Sequence, residues 1–392
     1  MPRSGNSSCL DPGATVVGGC GHIGLPLAIA LASAGMRVVC YDLSEPAVAA
    51  VRSGTMPFRE PGAAAPLRAA LAAGRLTATT DASVIGSAEH VVITVDGALA
   101  DVFASCGPYL ADGQLVVLRS TAAPGDTARL EKLAAELGID VDVAFCPERI
   151  AEGQAMTELF ELPQIISSRT ARGVERAASL FRRLVPALVT MSPEEAELAK
   201  LFSNAWRYIG FAAANQFYEI ANDRGLDFER IREGLQLDYP RGAGLPPAGF
   251  AAGPCLLKDT LSLIGSGGEF RLGQAAVAAN EGLADYVVDR LASTHDLAGM
   301  RVGLLGMAFK GGSDDTRSSL SYRLKRLLAA RAREVLCSDP LVISDPDLLP
   351  LPAVLAAADL IVVAAPHPQY RDLPAGLLLA DIWGVTDRGV RI

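Results

Sequence analysis

Two groups of residues in this chain have the types and the spacing to do chemistry. The first is Gly19-x-Gly21-x-x-Gly24, lying between a short β-rich run at residues 14–17 and a helix-like stretch at 25–34. In that setting the first glycine permits a tight turn, the second lets the backbone approach a pyrophosphate, and the third lets helix and strand pack closely, with the helix N-terminus facing the anion. Asp42 closes the next strand-like run, residues 36–41. An acid at that distance accepts both ribose hydroxyls and repels a 2′-phosphate, so the pair points to NAD rather than NADP. Gly19, Gly21, His22, Ile23, Gly24 and Asp42 are the expected cofactor contacts; a lone glycine pattern also describes a packing turn, and Asp42 is what argues against that. The second group is Gly253-Pro254-Cys255-Leu256-Leu257-Lys258-Asp259, which puts a thiol just ahead of a helix start. The helix dipole and Lys258 favour a thiolate there, although a cysteine is also a small core hydrophobe. In an NAD protein such a thiol suits a dehydrogenase that forms a thiohemiacetal, oxidises it to a thioester and hydrolyses the thioester.

Elements of alternating type must position these groups. Strand-like runs at 90–95, 115–118 and 141–145 alternate with Ala/Leu-rich helical stretches, which predicts an α/β domain with a parallel sheet covered on both faces. From Ser192 to Asn222 one long helical pattern takes over, opened by Ser192-Pro193-Glu194-Glu195 and stopped at Gly225. Helical patterns resume over 258–291 after a Pro/Gly-rich loop at 239–254. A strand at 300–305, a helix at 318–330 and strands at 334–338 and 359–364 then predict a second α/β unit, with Asp339 in the place that Asp42 holds in the first. The expected segments are a flexible tail at 1–13, a dinucleotide-binding domain at 14–191, a central helical domain at 192–296 and a C-terminal α/β domain at 297–392.

Composition bounds the partners. Of 392 residues half are hydrophobic and 20% are charged, which excludes disorder for the bulk of the chain. Lys and Arg number 35 against 44 Asp and Glu, a net charge of −9 with no basic run, so nucleic acid and anionic membranes are not expected partners. The seven cysteines lack metal-site or disulfide-frame spacing, which suits a reducing cytoplasm and no metal. His22, His90, His295 and His367 share no metal or triad spacing, and structural or surface roles are expected for all four. No signal peptide and no membrane span is expected either.

Further motifs fall in a fixed order: Leu25-Pro26-Leu27-Ala28 after the glycines; Ser120-Thr121-Ala122-Ala123-Pro124-Gly125; Cys146-Pro147-Glu148-Arg149-Ile150-Ala151-Glu152-Gly153; Glu197-Leu198-Ala199-Lys200-Leu201-x-x-Asn204; the Cys255 segment; and Ala308-Phe309-Lys310 with Asp314-Asp315-x-Arg317. Together they resemble the UDP-glucose/GDP-mannose dehydrogenase family over most of the chain. The resemblance implies an N-terminal Rossmann domain, a central helical domain through which a homodimer forms, and a C-terminal Rossmann-like domain for the nucleotide sugar. It implies that Cys255 is the nucleophile, that Lys200 and Asn204 stabilise the oxyanion, and that Glu148, Thr121 and Asp259 handle water and protons. It adds Thr121, Glu152, Lys258 and Arg317 to the cofactor set, and Glu148, Arg149, Lys200, Asn204, Arg241, Phe250 and Lys310 to the substrate set, with Arg241 reaching across the dimer. Taken singly, Lys200 and Glu197 also read as helix-surface charges, Glu148 and Arg149 as a local ion pair, and Asp314, Asp315 and Arg317 as a solvated turn.

The implied reaction is the NAD-dependent four-electron oxidation of a UDP-sugar C6 hydroxyl to the uronate. Pro147-Glu148-Arg149 resembles the UDP-N-acetylhexosamine branch (UDP-ManNAc or UDP-GlcNAc) rather than the UDP-glucose branch. Alternatives are a UDP-glucose 6-dehydrogenase, a two-electron hydroxyacid-type dehydrogenase without a catalytic cysteine, and a non-catalytic nucleotide-sugar-binding protein. Two departures from the family pattern stand out: Val95-Asp96-Gly97-Ala98 places an acid near the cofactor, and Phe250-Ala251-Ala252-Gly253 brings two methyl groups into a loop that is glycine-rich in relatives.

Overall fold

The computed structural model describes residues 11–386 except Asp96, Ala98 and Gly268. Asp96 and most of the expected tail therefore lie outside the described residues. The chain forms two compact units, Met1–Lys200 and Leu201–Ile392.

The first unit is built on one sheet of β1 (Asp11–Val17), β2 (Arg37–Tyr41), β3 (Leu76–Thr79), β4 (Ala88–Ile93), β5 (Leu115–Leu118), β6 (Asp142–Phe145), β7 (Gln164–Ser168) and β8 (Leu188–Thr190). Their order is β3-β2-β1-β4-β5-β6-β7-β8. The first six run parallel, in the order of a doubly wound dinucleotide-binding sheet, with the reversal of order falling between β1 and β4. Burial explains their uniform apolarity: β5 is Leu-Val-Val-Leu with every residue inside. The helix Gly24–Ser33 is likewise buried from Gly24 to Ala32, so it carries no polar stripe. The expected all-parallel sheet needs one correction, because β7 pairs antiparallel with β6 before β8 joins it in parallel. β1 also begins three residues before the expected start at 14. The strands β3, β7 and β8 are short and gave no sequence signal.

The second unit holds the helices Phe228–Gln236, Leu256–Gly265 and Arg271–Thr294, and a parallel sheet of β9 (Arg301–Leu305), β10 (Glu334–Ser338), β11 (Leu360–Val363) and β12 (Leu379–Asp381) in the order β10-β9-β11-β12. Helices of the middle segment and this sheet share a core in which Ala214, Tyr218, Leu283 and Val287 meet Val302, Leu304 and Leu360. The long helix Pro193–Asn222 starts as expected: Ser192 Oγ accepts from Glu195 N–H, and the Glu195 carboxylate accepts from Ser192 N–H at 2.8 Å. Beyond Asn222, Leu226 N–H returns to Ala221 C=O over Gly225 at φ +68°, a left-handed helix stop. Among the described residues no helix is long and apolar enough to cross a membrane.

Candidate active site

Parallel strands place all their carboxyl ends on one edge of a sheet, and in the first unit the expected site residues follow those ends. The glycine loop follows β1, Asp42 follows β2, Thr121 follows β5, and Glu148 and Glu152 follow β6. The three glycines divide the work differently from the expectation. Gly18, at φ +75°, makes the turn. A Cβ on Gly19 would lie 2.6 Å from Cys40 Cα, and one on Gly24 would lie 2.3 Å from Gly18 C=O. A Cβ on Gly21 would meet only Gly18 C=O, at 3.4 Å. Two glycines are thus needed for packing, and the third presents bare backbone to open space beside a helix N-terminus, where a pyrophosphate fits. The loop is tied to Asp42, whose carboxylate accepts from Cys20 N–H and Ser44 N–H, each at 3.0 Å. Ile23 leads into the helix, and the His22 ring stacks on Phe58 with 4.0 Å between centroids. These residues fit a bound NAD.

The fit can be tested by contrast. Gly24→Ala is expected to lose about 1–3 kcal/mol of stability through overpacking, whereas Gly21→Ala should melt like the parent and lose NAD affinity. Thermal melting and calorimetric titration with NAD read the two effects separately.

Deeper in this unit the long helix carries buried charge, so the surface-charge reading of Glu197 and Lys200 is corrected. Glu197 accepts from the N–H groups of Gly125 (2.7 Å) and Thr127 (2.8 Å) and from Thr127 Oγ1 (2.6 Å). The helix Asp126–Glu136 has no side-chain cap of its own, and Glu197 supplies one from a distance. It thereby ties the loop bearing Thr121 to the helix bearing Lys200. Lys200 itself is 7% exposed. Burial raises the Glu148 carboxyl above the ordinary carboxylate range, while the positive charges of Lys200 and Arg119 oppose that rise. Arg119 is fully buried behind Glu148, with its guanidinium on Gln164 Oε1 at 2.6 Å and over the Phe181 ring. Sequence reading missed it; only the apolar run Leu115–Leu118 that it follows hinted at burial. Arg149 is exposed and donates to the Pro163 carbonyl, so the expected Glu148–Arg149 pairing is replaced by a loop contact. Glu152 raises the carboxyl of its neighbour Glu60, whose main cause of elevation is burial; Glu60 accepts from Ala155 N–H at 2.9 Å.

In the second unit Asn204 is 6% exposed and Asp259 is 0% exposed, and Asn204 Nδ2 donates to Asp259 Oδ2 at 2.6 Å. Asp259 lies one turn after Cys255, the residue that opens the helix Leu256–Gly265, and its N–H donates to Cys255 C=O at 2.9 Å. Cys255 is exposed, whereas Cys20, Cys40, Cys106, Cys146 and Cys337 are buried. Burial pushes the Cys20 and Cys146 thiols up to about 12 and the Cys106 and Cys337 thiols up to about 11. Tertiary structure therefore singles out Cys255 as the accessible thiol among the described ones, at the start of a helix.

The loop before Cys255 is clamped by Asn215, which donates to Gly249 C=O (3.0 Å) and accepts from Gly249 N–H (2.9 Å). Its glycines survive where they must: a Cβ on Gly249 would lie 2.4 Å from the Trp383 ring, and one on Gly253 would lie 2.6 Å from the Phe309 ring. Ala251 buries its methyl among Tyr208, Ala212, Leu256 and Ala276, and Ala252 packs half-buried on the neighbouring core. Phe250, expected at the substrate, has its ring in that core as well. Lys310 Nζ sits 5.5 Å over the Phe309 ring. Arg241 is exposed over Tyr239, Lys258 is exposed on its helix, and Arg317 is exposed in a bidentate pair with Asp315, whose own side chain is largely buried. Among the described residues no group of three or more His, Cys, Asp or Glu is placed to hold a metal.

Comparison with known proteins meets this geometry. The NAD binding domain of the UDP-glucose/GDP-mannose dehydrogenase family matches residues 14–185, its central domain 194–282 and its UDP binding domain 303–388. The UDP-glucose 6-dehydrogenase AglM of Haloferax volcanii is 33% identical over 82% of this chain and 82% of its own length. The UDP-N-acetyl-D-mannosamine dehydrogenase of Escherichia coli K12 is 30% identical over 90% of this chain and 93% of its own. The solved UDP-D-ManNAc dehydrogenase of Pyrococcus horikoshii superposes with a TM-score of 0.87 at 26% identity, covering 95% of this chain and 99% of that one. Fold, cofactor loop and motif order converge, and the chain belongs to the UDP-glucose/GDP-mannose dehydrogenase family as an NAD-dependent nucleotide-sugar dehydrogenase.

Proposed function

We propose that this enzyme oxidises the C6 hydroxyl of a UDP-N-acetylhexosamine, UDP-ManNAc or UDP-GlcNAc, to the carboxylate. The observation that carries the mechanism is the exposure of Cys255 at a helix start while the other described thiols are buried. The choice of sugar rests on Pro147-Glu148-Arg149 and on relatives named for UDP-N-acetyl-D-mannosamine.

When bound, NAD supplies the hydride acceptor for both oxidations. Cys255 Sγ adds as thiolate to the C6 aldehyde, forming a C–S bond and moving the carbonyl electron pair onto oxygen. Lys200, with Asn204, stabilises that oxyanion. Oxidation of the thiohemiacetal gives a thioester. Glu148 takes a proton from water, the hydroxide adds to the thioester carbon, and the C–S bond breaks to return the thiolate. Asp259 and Thr121 pass protons onward. Overall one alcohol, one water and two NAD give one carboxylate, two NADH and three protons. A Glu148 carboxyl raised by burial is a stronger base than an ordinary carboxylate, which suits this role.

The deciding experiment measures NADH formed per sugar with a panel of UDP-, GDP- and dTDP-sugars, recording product mass. Two NADH per UDP-N-acetylhexosamine and a uronate mass are expected. UDP-glucose turned over best would favour the second reading, which the 33% identity to AglM supports. A single NADH would sink the four-electron mechanism, and tight binding of a UDP-sugar without NADH would mean a binding protein.

The partner we infer is a second copy of the chain. Phe202, Trp206, Phe217 and Ile220 form an exposed apolar stripe along one side of the long helix, with Trp206 73% exposed. Light scattering should give twice the 40.9 kDa chain mass, and a smaller mass for Trp206→Glu. The buried, scattered thiols Cys20, Cys40, Cys106, Cys146 and Cys337 suit a cytoplasmic setting.

A further inference from the structure

The loop after β9, residues 306–312, is held at both ends by one buried histidine–carboxylate pair. Asp339, just past the end of β10, accepts through Oδ2 from Met307 N–H (2.6 Å) and Ala308 N–H (3.0 Å), and through Oδ1 from Leu341 N–H (2.8 Å) and Val342 N–H (3.0 Å). His367, after β11, is 0% exposed. Its Nε2 lies 3.2 Å from Asp339 Oδ2, and its Nδ1 accepts from Gly312 N–H at 3.2 Å. Because an N–H points at Nδ1, that nitrogen holds the lone pair and Nε2 carries the proton, so each side of a neutral ring has a directed task. Tyr370 packs edge-on against the ring, with 5.6 Å between centroids. The matching acid of the first unit makes the same kind of bridge, since Asp42 accepts from Cys20 N–H in the loop after β1 and from Ser44 N–H two residues on; what the second unit adds is the His367 ring on Asp339.

Between the anchored ends sit Phe309, against which Gly253 of the Cys255 loop packs, and Lys310, over the Phe309 ring. We propose that His367 and Asp339 are positioning residues for the nucleotide-sugar site: they fix the path of residues 307–312, and with it the place of Lys310 and the seat of the Cys255 loop. The proposal rests on reading Lys310 as a substrate contact.

The test uses the full-length enzyme and the UDP-sugar it turns over best. An Asn side chain reaches the place of Nδ1 and a Gln side chain that of Nε2. His367→Asn therefore keeps an acceptor for Gly312, and His367→Gln keeps a donor for Asp339 while leaving Gly312 N–H without its partner. His367→Gln is expected to weaken UDP-sugar binding about tenfold, with NAD affinity within about twofold of the parent because the glycine loop and Asp42 belong to the other unit and neither Lys258 nor Arg317 lies within residues 307–312; His367→Asn should fall between. Calorimetry with each ligand, alongside thermal melting and the split of kcat from KM, reads these effects. Unchanged UDP-sugar affinity in both histidine variants while Lys310→Met binds weakly overturns the proposal, as does equal loss of NAD and UDP-sugar affinity. Unchanged affinity in Lys310→Met overturns the reading of Lys310 as a contact, whatever the histidine variants do. If His367→Gln does not fold, His367→Asn decides on the same readouts.

Discussion

Replacing Cys255 by serine is expected to abolish acid formation while leaving the fold intact. Cys255 is exposed and opens its helix without a side-chain cap, so the near-isosteric change from Sγ to Oγ removes little buried surface and no cap. What it removes is the thiolate. A serine hydroxyl has no comparable fraction of anion near neutral pH, and an ester in place of the thioester is a poorer acyl donor. Turnover to the uronate should fall on the order of 10³-fold or more, with melting temperature and NAD affinity unchanged. Product mass distinguishes the outcomes, because any remaining chemistry stops at the aldehyde level with at most one NADH per sugar. Near-normal yield of two NADH in Cys255→Ser would mean that the thiol is not the nucleophile.

Lys200→Met should be the next most damaging change, for two linked reasons. Methionine keeps most of the volume at a 7% exposed position, so packing is largely preserved and the charge is what is lost. If Lys200 stabilises the oxyanion, kcat should drop roughly 10²–10³-fold, the range for removing one preorganised donor. The second effect is on Glu148. Burial raises its carboxyl and the Lys200 charge holds it down, so removing that charge lets the carboxyl rise further. A base acts only when deprotonated, and activity is lost as pH falls through its folded-state value. The acid limb of the residual kcat/KM profile should therefore move to higher pH in Lys200→Met. A profile that keeps its acid limb, with kcat within about tenfold of the parent, would place Lys200 outside the chemistry.

Much of the fold was legible because its signals are local. The glycine loop with Asp42, the Ser192–Glu195 capping box and the Gly225 stop each involve residues within a turn or a βαβ unit, and each is found in the structure. The strands that went unread, β3, β7, β8 and β12, run three to five residues and are set by their neighbours in the sheet. The antiparallel entry of β7 is a property of the pairing with β6, to which no periodicity within either strand points.

The candidate site divides along the same line. Sequence by itself determined which residue types stand in which order: the phosphate loop, the acid after the second strand, the Lys200–Asn204 turn, and Cys255 ahead of a helix. It could not rank seven cysteines, because accessibility is a property of packing, and burial is what removes five of them from contention. Nor could it assign Glu197, which caps the helix Asp126–Glu136 from about 70 residues away, or Asn215, which clamps Gly249. His367 lacked a metal or triad pattern in the sequence, and its partners Asp339 and Gly312 become neighbours only when β9, β10 and β11 align their carboxyl ends. Nearest-neighbour chemistry is written in the chain; desolvation and long-range hydrogen bonds, which decide the charge state and orientation of the groups that react, exist only once the chain is packed.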